Sequence, residues 1–260
     1  MLSLGLIVGS VVLYLFIRKA KDVAMPTDIQ NLAMFLPQAV FMAIYTLAQD
    51  NSFKISLADI LTIAAAAIFL SWLGNIASLR ALQKAPNPGY SLVISKSYVL
   101  MTSILSVWIF GSALTGKSII AIVLIVIFSA VIILEKEKTN MKKDKEWIWL
   151  TLAAFLAWGF LALVFKHLTN KGLLPAVMLF YMALFVSVMI LAQLARKRTQ
   201  IKFKKNYLSL FLVIGLASAL FNLFMVVGYK YAPNPGYINA ANAGSIALVT
   251  IFSALLFKDE

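Results

Sequence analysis

The stretch Ala85-Pro86-Asn87-Pro88-Gly89-Tyr90 occurs a second time as Ala232-Pro233-Asn234-Pro235-Gly236-Tyr237, each time between two apolar runs. An identity of six residues that includes two prolines is very unlikely by chance. The match extends outward at the same separation, so that Asn75 in the first half corresponds to Asn222 in the second. Because an internal repeat changes the interpretation of everything else, we first conclude that the chain consists of two copies of one helical unit.

The two Pro-Asn-Pro-Gly segments are predicted to be tight turns that join antiparallel helices. Proline disfavours helical geometry in the residue before it, and glycine permits a tight reversal. A gating role for the turns is the alternative. The residues concerned are Pro86, Asn87, Pro88 and Gly89 in the first half and Pro233, Asn234, Pro235 and Gly236 in the second.

The composition indicates an integral membrane protein. Hydrophobic residues make up 62% of the chain and charged residues 13%, with a mean hydropathy of +0.91, whereas soluble domains are roughly 45–50% apolar and 25% charged. The chain has no cysteine, which excludes disulfides and thiolate chemistry, and its single histidine, His167, cannot build a zinc site alone. The apolar runs contain no nucleophile–base pair or paired carboxylates. We therefore expect no metal, no cofactor and no enzymatic activity.

The formal net charge of +13 does not point to a nucleic-acid partner. A nucleic-acid-binding domain would carry a basic face on a soluble fold. Here the basic residues lie in short loops between apolar runs, as membrane topology requires. The expected partners are the lipid bilayer and a small-molecule substrate.

Nine apolar runs satisfy the requirement of about 20 residues for a membrane span. They cover about 2–17, 29–47, 57–82, 89–110, 118–134, 147–165, 173–195, 207–231 and 236–257. The resulting prediction is an all-α inverted duplication of a five-helix unit. Residues 1–140 form the first repeat (helices 1–5), and residues 141–260 form the second (helices 6–9), which lacks the final, tenth helix of the pattern. Either the protein ends one helix early or the sequence is a fragment, and we favour the fragment.

An odd number of spans in each copy makes the two copies run through the bilayer in opposite directions. Loops after the odd-numbered helices carry seventeen basic residues, and those on the other side carry five. The positive-inside rule then places the first Pro-Asn-Pro-Gly turn in the cytoplasm and the N-terminus outside. We expect a multi-pass protein of the cell (inner or plasma) membrane.

The order of motifs in the two halves resembles one family of membrane proteins. A helix ends in "ALQKAPNPGY" (81–90) or "GYKYAPNPGY" (228–237), and the next helix ends in "SVWIFGSALTGK" (106–117) or "SALLFKDE" (253–260). With the duplication, this order is similar to the drug/metabolite transporter superfamily, in particular its EamA-type members with two five-helix repeats. The resemblance implies a secondary-active transporter that imports or exports a small organic solute or metabolite by alternating access. A flippase for lipid-linked substrates, or an accessory membrane subunit of the same fold, is the alternative.

Lys96 is the one basic residue in the interior of a predicted span, since Arg80 and Lys230 lie at the ends of theirs. Ionisable residues are costly in lipid and are therefore candidates for function. One interpretation is that Lys96 extends its ammonium back to the headgroups. The other is a cavity-facing cation that binds an anionic substrate group, or that titrates because burial lowers a lysine pKa. All acidic residues lie in loops or at helix ends, which disfavours proton antiport through a buried carboxylate and leaves the coupling ion open.

Four asparagines are candidates for a polar, uncharged lining near the midplane. Asn75 and Asn222 lie midway along repeat-related helices, and Asn239 and Asn242 lie three residues apart on one face. Buried amides can also simply join helices by hydrogen bonds, but transporter sites are typically found at this depth. The other candidates for the lining are Ser95, Tyr98, Ser103, Trp158 and Thr250.

Overall fold

A computed structural model describes residues 2–85, 88–124, 127, 146–196 and 205–257. In these ranges the chain is helical and contains no strand. The elements are α1 (Leu2–Asp22), α2 (Thr27–Ala48), α3 (Leu57–Ala65), a π-helical segment (Ala66–Trp72), α4 (Leu73–Lys84), α5 (Pro88–Lys96), α6 (Tyr98–Phe110), α7 (116–124), α8 (Glu146–Asn170), α9 (Pro175–Arg196), α10 (Lys205–Tyr231) and α11 (Pro235–Phe257).

Within the described ranges, seven helical stretches are long and apolar enough to cross a membrane. They are Ser3–Ala20, Thr27–Ala48, Leu57–Leu82, Ser91–Phe110, Glu146–Asn170, Pro175–Arg196 and Tyr207–Tyr231. The all-α class is confirmed, and these helices fit a membrane protein with several spans. Much of the predicted fifth span and the repeat boundary near residue 140 lie outside the described residues, so the count of nine stays a prediction.

The second Pro-Asn-Pro-Gly turn starts a helix and is tied into the bundle. Helix α11 begins at Pro235, as α5 begins at Pro88, because proline lacks only a backbone donor that the first helical turn does not use. The Asn234 Oδ1 atom accepts a hydrogen bond from the backbone amide of Gly236 at 2.8 Å. Its amide nitrogen donates to the backbone carbonyl of Ser103 on α6 at 3.1 Å. Pro86 and Asn87 lie outside the described residues.

Contacts between helix termini define two ends of the bundle. At the first, Lys84 pairs with Glu146, so the end of α4 meets the start of α8. The end of α1, which carries Arg18, lies on the same side, because Pro26 just after α1 lines a cavity together with Arg80 of α4. This side is called the Arg18 end. At the second, the Asp59 end, Lys171 pairs with Asp59, so the α8–α9 connection meets the start of α3. Each end therefore joins residues from the two halves of the sequence.

Helix α8 continues beyond the predicted limit at residue 165, to Asn170. The count of basic residues in loops included Lys166 among the five on the less basic side. That assignment is wrong, because Lys166 lies within α8 and its side chain is buried, at 6% exposure. Its ammonium donates to the carbonyls of Tyr229 and Ala232, both at 2.8 Å. These carbonyls lie at the end of α10, where helix carbonyls need partners from outside the helix.

Two spans depart from regular α-helical geometry. The span that contains α3 and α4 passes through the π-helical segment Ala66–Trp72, and the span predicted as continuous from 89 to 110 is interrupted at Ser97. The Ser97 hydroxyl donates to the Val93 carbonyl at 2.9 Å, a backbone contact that often bends helices. Lys96 is the last residue before this break, and Ser71 lies in the π-helical segment. Both irregularities therefore occur beside polar residues of the core.

Candidate functional site

A cavity of about 120 Å³ lies in the centre of the bundle. Helices from both halves of the chain form its wall. The lining residues are Leu13, Tyr14, Met34, Phe35, Gln38, Ser71, Asn75, Lys96, Tyr98, Trp158, Leu161, Ala162, Phe165, Leu179, Met182, Phe221, Asn222, Met225, Val226, Tyr229 and Asn242. The wall is mainly apolar and aromatic with a small number of polar groups, which is the usual composition of a small-molecule site.

Lys96 faces this cavity. Its side chain is 3% exposed, and its ammonium donates a hydrogen bond to Asn242 Oδ1 at 3.1 Å. The nitrogen lies 4.9 Å from the ring centroid of Tyr14 and 6.0 Å from that of Trp158. Aromatic faces attract a cation at such distances. The interpretation that Lys96 extends to the headgroups is therefore wrong, because its ammonium points into the bundle core.

The Lys96 ammonium has no carboxylate partner among the residues that the structure describes. An ammonium has three N–H donors, and Asn242 is the one hydrogen-bond acceptor found for it there. A buried charge is normally paired. Two N–H donors of the Lys96 ammonium are therefore without a hydrogen-bond acceptor in the described part of the chain.

Asn242 is held in place by its own neighbours. Its Oδ1 atom also accepts a hydrogen bond from the Ser10 hydroxyl at 3.1 Å. The Ser10 and Ser245 hydroxyl oxygens are 2.8 Å apart, and Ser245 donates to the Asn242 carbonyl at 2.6 Å. The amide oxygen thus serves two donors, from α1 and α5, and orients the Lys96 ammonium at the point where three helices meet.

Asn239 does not line the cavity but forms hydrogen bonds with two tyrosines that do. Its Oδ1 atom accepts hydrogen bonds from the hydroxyls of Tyr229, at 2.6 Å, and Tyr98, at 3.4 Å. Its amide nitrogen donates to the Thr102 hydroxyl at 2.8 Å. Asn239 therefore positions two tyrosines that line the cavity, and does not line it itself.

Another part of the wall is built from amides. Gln38 Oε1 accepts hydrogen bonds from Asn222, at 2.8 Å, and Ser218, at 3.1 Å. Asn75 donates to Asn31 Oδ1 at 3.3 Å. Asn75 and Asn222 thus join helices by hydrogen bonds, which was one interpretation of their sequence positions, and they also line the cavity. The two interpretations are compatible here.

Six of the ten candidates line the cavity, namely Asn75, Lys96, Tyr98, Trp158, Asn222 and Asn242. Ser95 and Ser103 are buried, but their hydroxyls donate to the Leu92 and Val99 carbonyls of their own helices. Thr250 lies on α11, and its side chain is outside the described part.

Several lining residues were not among the candidates, notably Tyr14, Gln38, Ser71 and Tyr229. Gln38 is a polar residue in the middle of an apolar run, so the cost of polar groups in lipid would have indicated it. The same reasoning applies to Ser71, whose repeat partner is Ser218. The two tyrosines have no comparable signal, since tyrosine is common where spans meet the membrane interface.

The described residues contain no group of three or more histidine, cysteine, aspartate or glutamate side chains that would hold a metal ion. The polar groups at the cavity are amides, hydroxyls and one ammonium. Such groups bind and orient an organic molecule by hydrogen bonds and charge.

Comparison with known proteins gives the fold. No family model matches the chain, and no curated protein is similar in sequence. Among the solved structures, 25 chains are similar. One of them, a crystal structure of a protein, superposes with a TM-score of 0.77 over 98% of this chain and 86% of that chain, at 14% sequence identity. At this identity the likeness supports a shared helical architecture and nothing about activity.

Proposed function

We propose that the protein is a secondary-active transporter that moves a small organic solute across the membrane by alternating access. The observation that carries the proposal is the central cavity, which both halves of the chain line and which contains the buried cation Lys96. The proposed architecture is two inverted five-helix repeats, 1–140 and 141–260, with nine spans present. By this architecture we infer an EamA-type member of the drug/metabolite transporter superfamily, in the cell membrane with the Arg18 end in the cytoplasm.

The packing of the helices supports the inverted duplication. Helix α1 packs against α10, and its counterpart in the second half, α8, packs against α4. Likewise α1 contacts α11, and α8 contacts α5 and α6. Exchange of the two halves therefore reproduces these contacts between the halves. In transporters with inverted repeats, substrate sites typically lie at the interface of the repeats near the midplane, and we propose the same location here.

One close approach illustrates the correspondence at residue level. Gly9 of α1 faces the backbone of Phe221 on α10, where an added Cβ would lie 3.4 Å from the Phe221 Cα. The repeat alignment pairs Phe221 with Gly74, and an added Cβ at Gly74 would lie 2.7 Å from the Ala157 Cβ on α8. Small residues at equivalent crossings allow both helix pairs to approach closely.

The chemistry of the wall favours a solute with an anionic group and an apolar body. Lys96 offers a charged donor, the amides of Asn75 and Asn222 offer uncharged hydrogen-bonding groups, and aromatic and aliphatic side chains fill the space between them. A hydrogen bond to a charged group contributes about 1.5–3 kcal/mol. We therefore expect Lys96 to account for about 10- to 100-fold in affinity, since each 1.4 kcal/mol is tenfold.

The test is ligand-dependent thermal stabilisation of the purified protein, because a ligand that binds only the folded state raises its unfolding temperature. A panel of small carboxylates and phosphates, with uncharged analogues, should stabilise the wild type selectively. In Lys96→Gln the stabilisation by anions should disappear. Lys166→Gln is the matched control, since Lys166 is also a buried lysine but does not line the cavity. It should retain the increment due to the ligand even if its starting temperature is lower.

Flux of the stabilising compound in proteoliposomes completes the test. Transport by the wild type and loss of transport in Lys96→Gln are expected. If no member of the panel is bound or moved, the transporter proposal fails. If uncharged analogues stabilise both proteins as well as the anions do, the protein binds a solute but Lys96 is not its anion-binding group.

A further inference from the structure

A second, polar cavity of about 270 Å³ lies at the Arg18 end. It lies between the first turns of α2, the face of α4 that carries Ile76, Leu79 and Arg80, and the end of α9. Its lining residues are Pro26, Thr27, Asp28, Asn31, Ile76, Leu79, Arg80 and Gln193. It is called the vestibule below. Its polar and charged groups make it a compartment that water occupies readily.

The vestibule and the central cavity meet at one pair of side chains. Asn31 lines the vestibule, and Asn75 lines the central cavity. The Asn75 amide donates to Asn31 Oδ1 at 3.3 Å, across the contact between α2 and α4. A hydrogen bond between neutral groups contributes only about 0.5–1.5 kcal/mol net. The partition between the two compartments is therefore energetically weak at this point.

The Asp59 end is held by stronger contacts. Lys166 donates to two carbonyls at the end of α10, Lys171 pairs with Asp59, and the Tyr181 hydroxyl donates to the Phe53 carbonyl at 3.1 Å. The Lys171–Asp59 and Tyr181–Phe53 contacts join the two halves of the chain at that end, whereas Lys166 joins α8 to α10 within the second half. The Arg18 end also has an ion pair between the halves, Lys84–Glu146, but both of its side chains are exposed, and exposed ion pairs contribute little. At the Asp59 end the carboxylate of the ion pair is only 7% exposed. The structure therefore favours entry from the Arg18 end.

We propose that the vestibule is the aqueous route by which the solute reaches the central cavity, and that the Asn31–Asn75 hydrogen bond is the gate between the two. This inference rests on the proposed function, because a route has a role only if the cavity takes up a solute. The solute class is the same small organic anion. Its charged group meets Arg80, which is exposed at the mouth of the vestibule, before it reaches Lys96.

Asp28 is the opposing charge in the vestibule. Its Oδ1 atom accepts a hydrogen bond from the Gln193 amide at 3.3 Å, so α9 holds this carboxylate. The vestibule therefore contains both a cation, Arg80, and a carboxylate, Asp28. The central cavity presents Lys96 without a carboxylate partner in the described part of the chain, so an anion gains more by moving inward.

Because the chain contains no cysteine, single cysteines can report access without background. Ser71→Cys places the reporter in the central cavity, one helical turn before Asn75. Leu79→Cys places a second reporter in the wall of the vestibule. The probe is a membrane-impermeant, negatively charged methanethiosulfonate, applied to sealed vesicles of either orientation. Leu79→Cys should react rapidly from one side only, and Ser71→Cys should react more slowly from that same side.

Removal of the gate should then accelerate the inner reporter alone. In an Asn31→Ala background, Ser71→Cys should react about fivefold faster or more, as a loss of 1 kcal/mol or more implies. Ser187→Cys is the control for general loosening, because Ser187 is 1% exposed and lines neither cavity. Its reaction should stay slow in both backgrounds. If Ser71→Cys does not fold, Met34→Cys on α2 reports on the same cavity.

Reaction of Ser71→Cys exclusively from the side opposite to Leu79→Cys would overturn the route. An unchanged rate in Asn31→Ala, or an equal increase at Ser187→Cys, would overturn the gate. The labelling needs no solute, so its result is separate from that of the transport assay. Faster labelling without any flux keeps the route and rejects the transporter, whereas flux with unchanged labelling rejects the gate alone.

Discussion

Lys96 and Asn242 form the best-defined pair of the candidate site. The amide oxygen of Asn242 accepts from the ammonium and from Ser10, so the lysine is oriented without being neutralised. A carboxylate at position 242 would form a buried ion pair and leave nothing for a solute to compensate. The choice of an amide at this position therefore matches the proposed anion site.

Asn242→Asp is expected to abolish the binding of anionic solutes and to preserve the fold. The carboxylate keeps both acceptor interactions and adds a negative charge about 3.1 Å from the lysine nitrogen, so it competes with the solute as an internal counter-ion. Thermal unfolding with and without the stabilising anion measures this. The unfolding temperature without the anion should equal or exceed that of the wild type, and the increment due to the anion should vanish.

Asn242→Leu is the matched control, since it removes the acceptor without adding charge and should retain the increment. Undiminished stabilisation of Asn242→Asp by the anion would contradict the role of Lys96.

Two of the helical spans around the cavity depart from regular α-helical geometry beside residues that line it. Helix α5 ends at Lys96, and α6 begins at Tyr98, with only Ser97 between them. The π-helical segment directly precedes α4 and contains Ser71. π-helical segments occur frequently at functional sites, and interrupted helices form the sites of many transporters. The second Pro-Asn-Pro-Gly turn also contributes, because the Asn234 amide donates a hydrogen bond to the Ser103 carbonyl and so connects the start of α11 to α6. Its part is to position α11, and with it Asn239 and Asn242.

Gly236→Ala should weaken the contact between α11 and α6. An added Cβ would lie 1.8 Å from the Ser103 Oγ and 2.8 Å from the Ser103 Cβ, so the two helices would have to separate. Overpacking of this kind typically costs about 1–3 kcal/mol, which thermal unfolding in detergent would register as a lower unfolding temperature. Ser103→Gly in the same chain should restore part of the loss. Gly244→Ala on the same helix is the control, because no atom lies within 4 Å of its added Cβ. Equal unfolding temperatures for Gly236→Ala and Gly244→Ala would show that this crossing is not tight.

At the scale of the whole molecule, the spans were predictable because hydropathy is a local property of the chain. Bilayer thickness sets the length of a span, and the apolar runs match the observed helices closely. The end of α8 was predicted wrongly, since the hydropathy criterion stops at Lys166. That lysine is accommodated by the carbonyls of Tyr229 and Ala232, which come from a distant part of the sequence.

The candidate site was predictable only in part, for the same physical reason. Lys96 was identified because a charge in a span is costly, but the sequence does not tell which neighbour will face it. The rotation of each helix about its axis depends on packing with helices far away in the chain. Tyr14 lies beside Lys96 through such packing and was missed, whereas Asn75 and Asn222 were found because the repeat pairs them.

Alternating access requires the Asp59 end to open once the solute is bound. The ion pair between Asp59 and Lys171 joins the first half of the chain to the second at that end. A covalent link at the same place should therefore keep the Asp59 end closed while the Asn31–Asn75 gate stays free to open. In such a state the central cavity still exchanges solute with one side of the membrane but cannot release it to the other.

We therefore expect Asp59→Cys/Lys171→Cys, cross-linked by a short bifunctional methanethiosulfonate, to lose flux in proteoliposomes while anion-dependent thermal stabilisation persists. Reduction with dithiothreitol should restore flux, because it removes the link without other changes. The control pair is Arg18→Cys/Asp22→Cys, which lies four residues apart within α1. Since Arg18 also contacts Phe257 of the second half, its flux is compared between the linked and the reduced forms of this same variant. Its cross-link should leave flux unchanged. If the Asp59–Lys171 link leaves transport at the rate of the reduced protein, this end does not open during the cycle, and the solute must leave by another path. If the link abolishes binding as well as flux, the cavity does not load from the vestibule in this conformation.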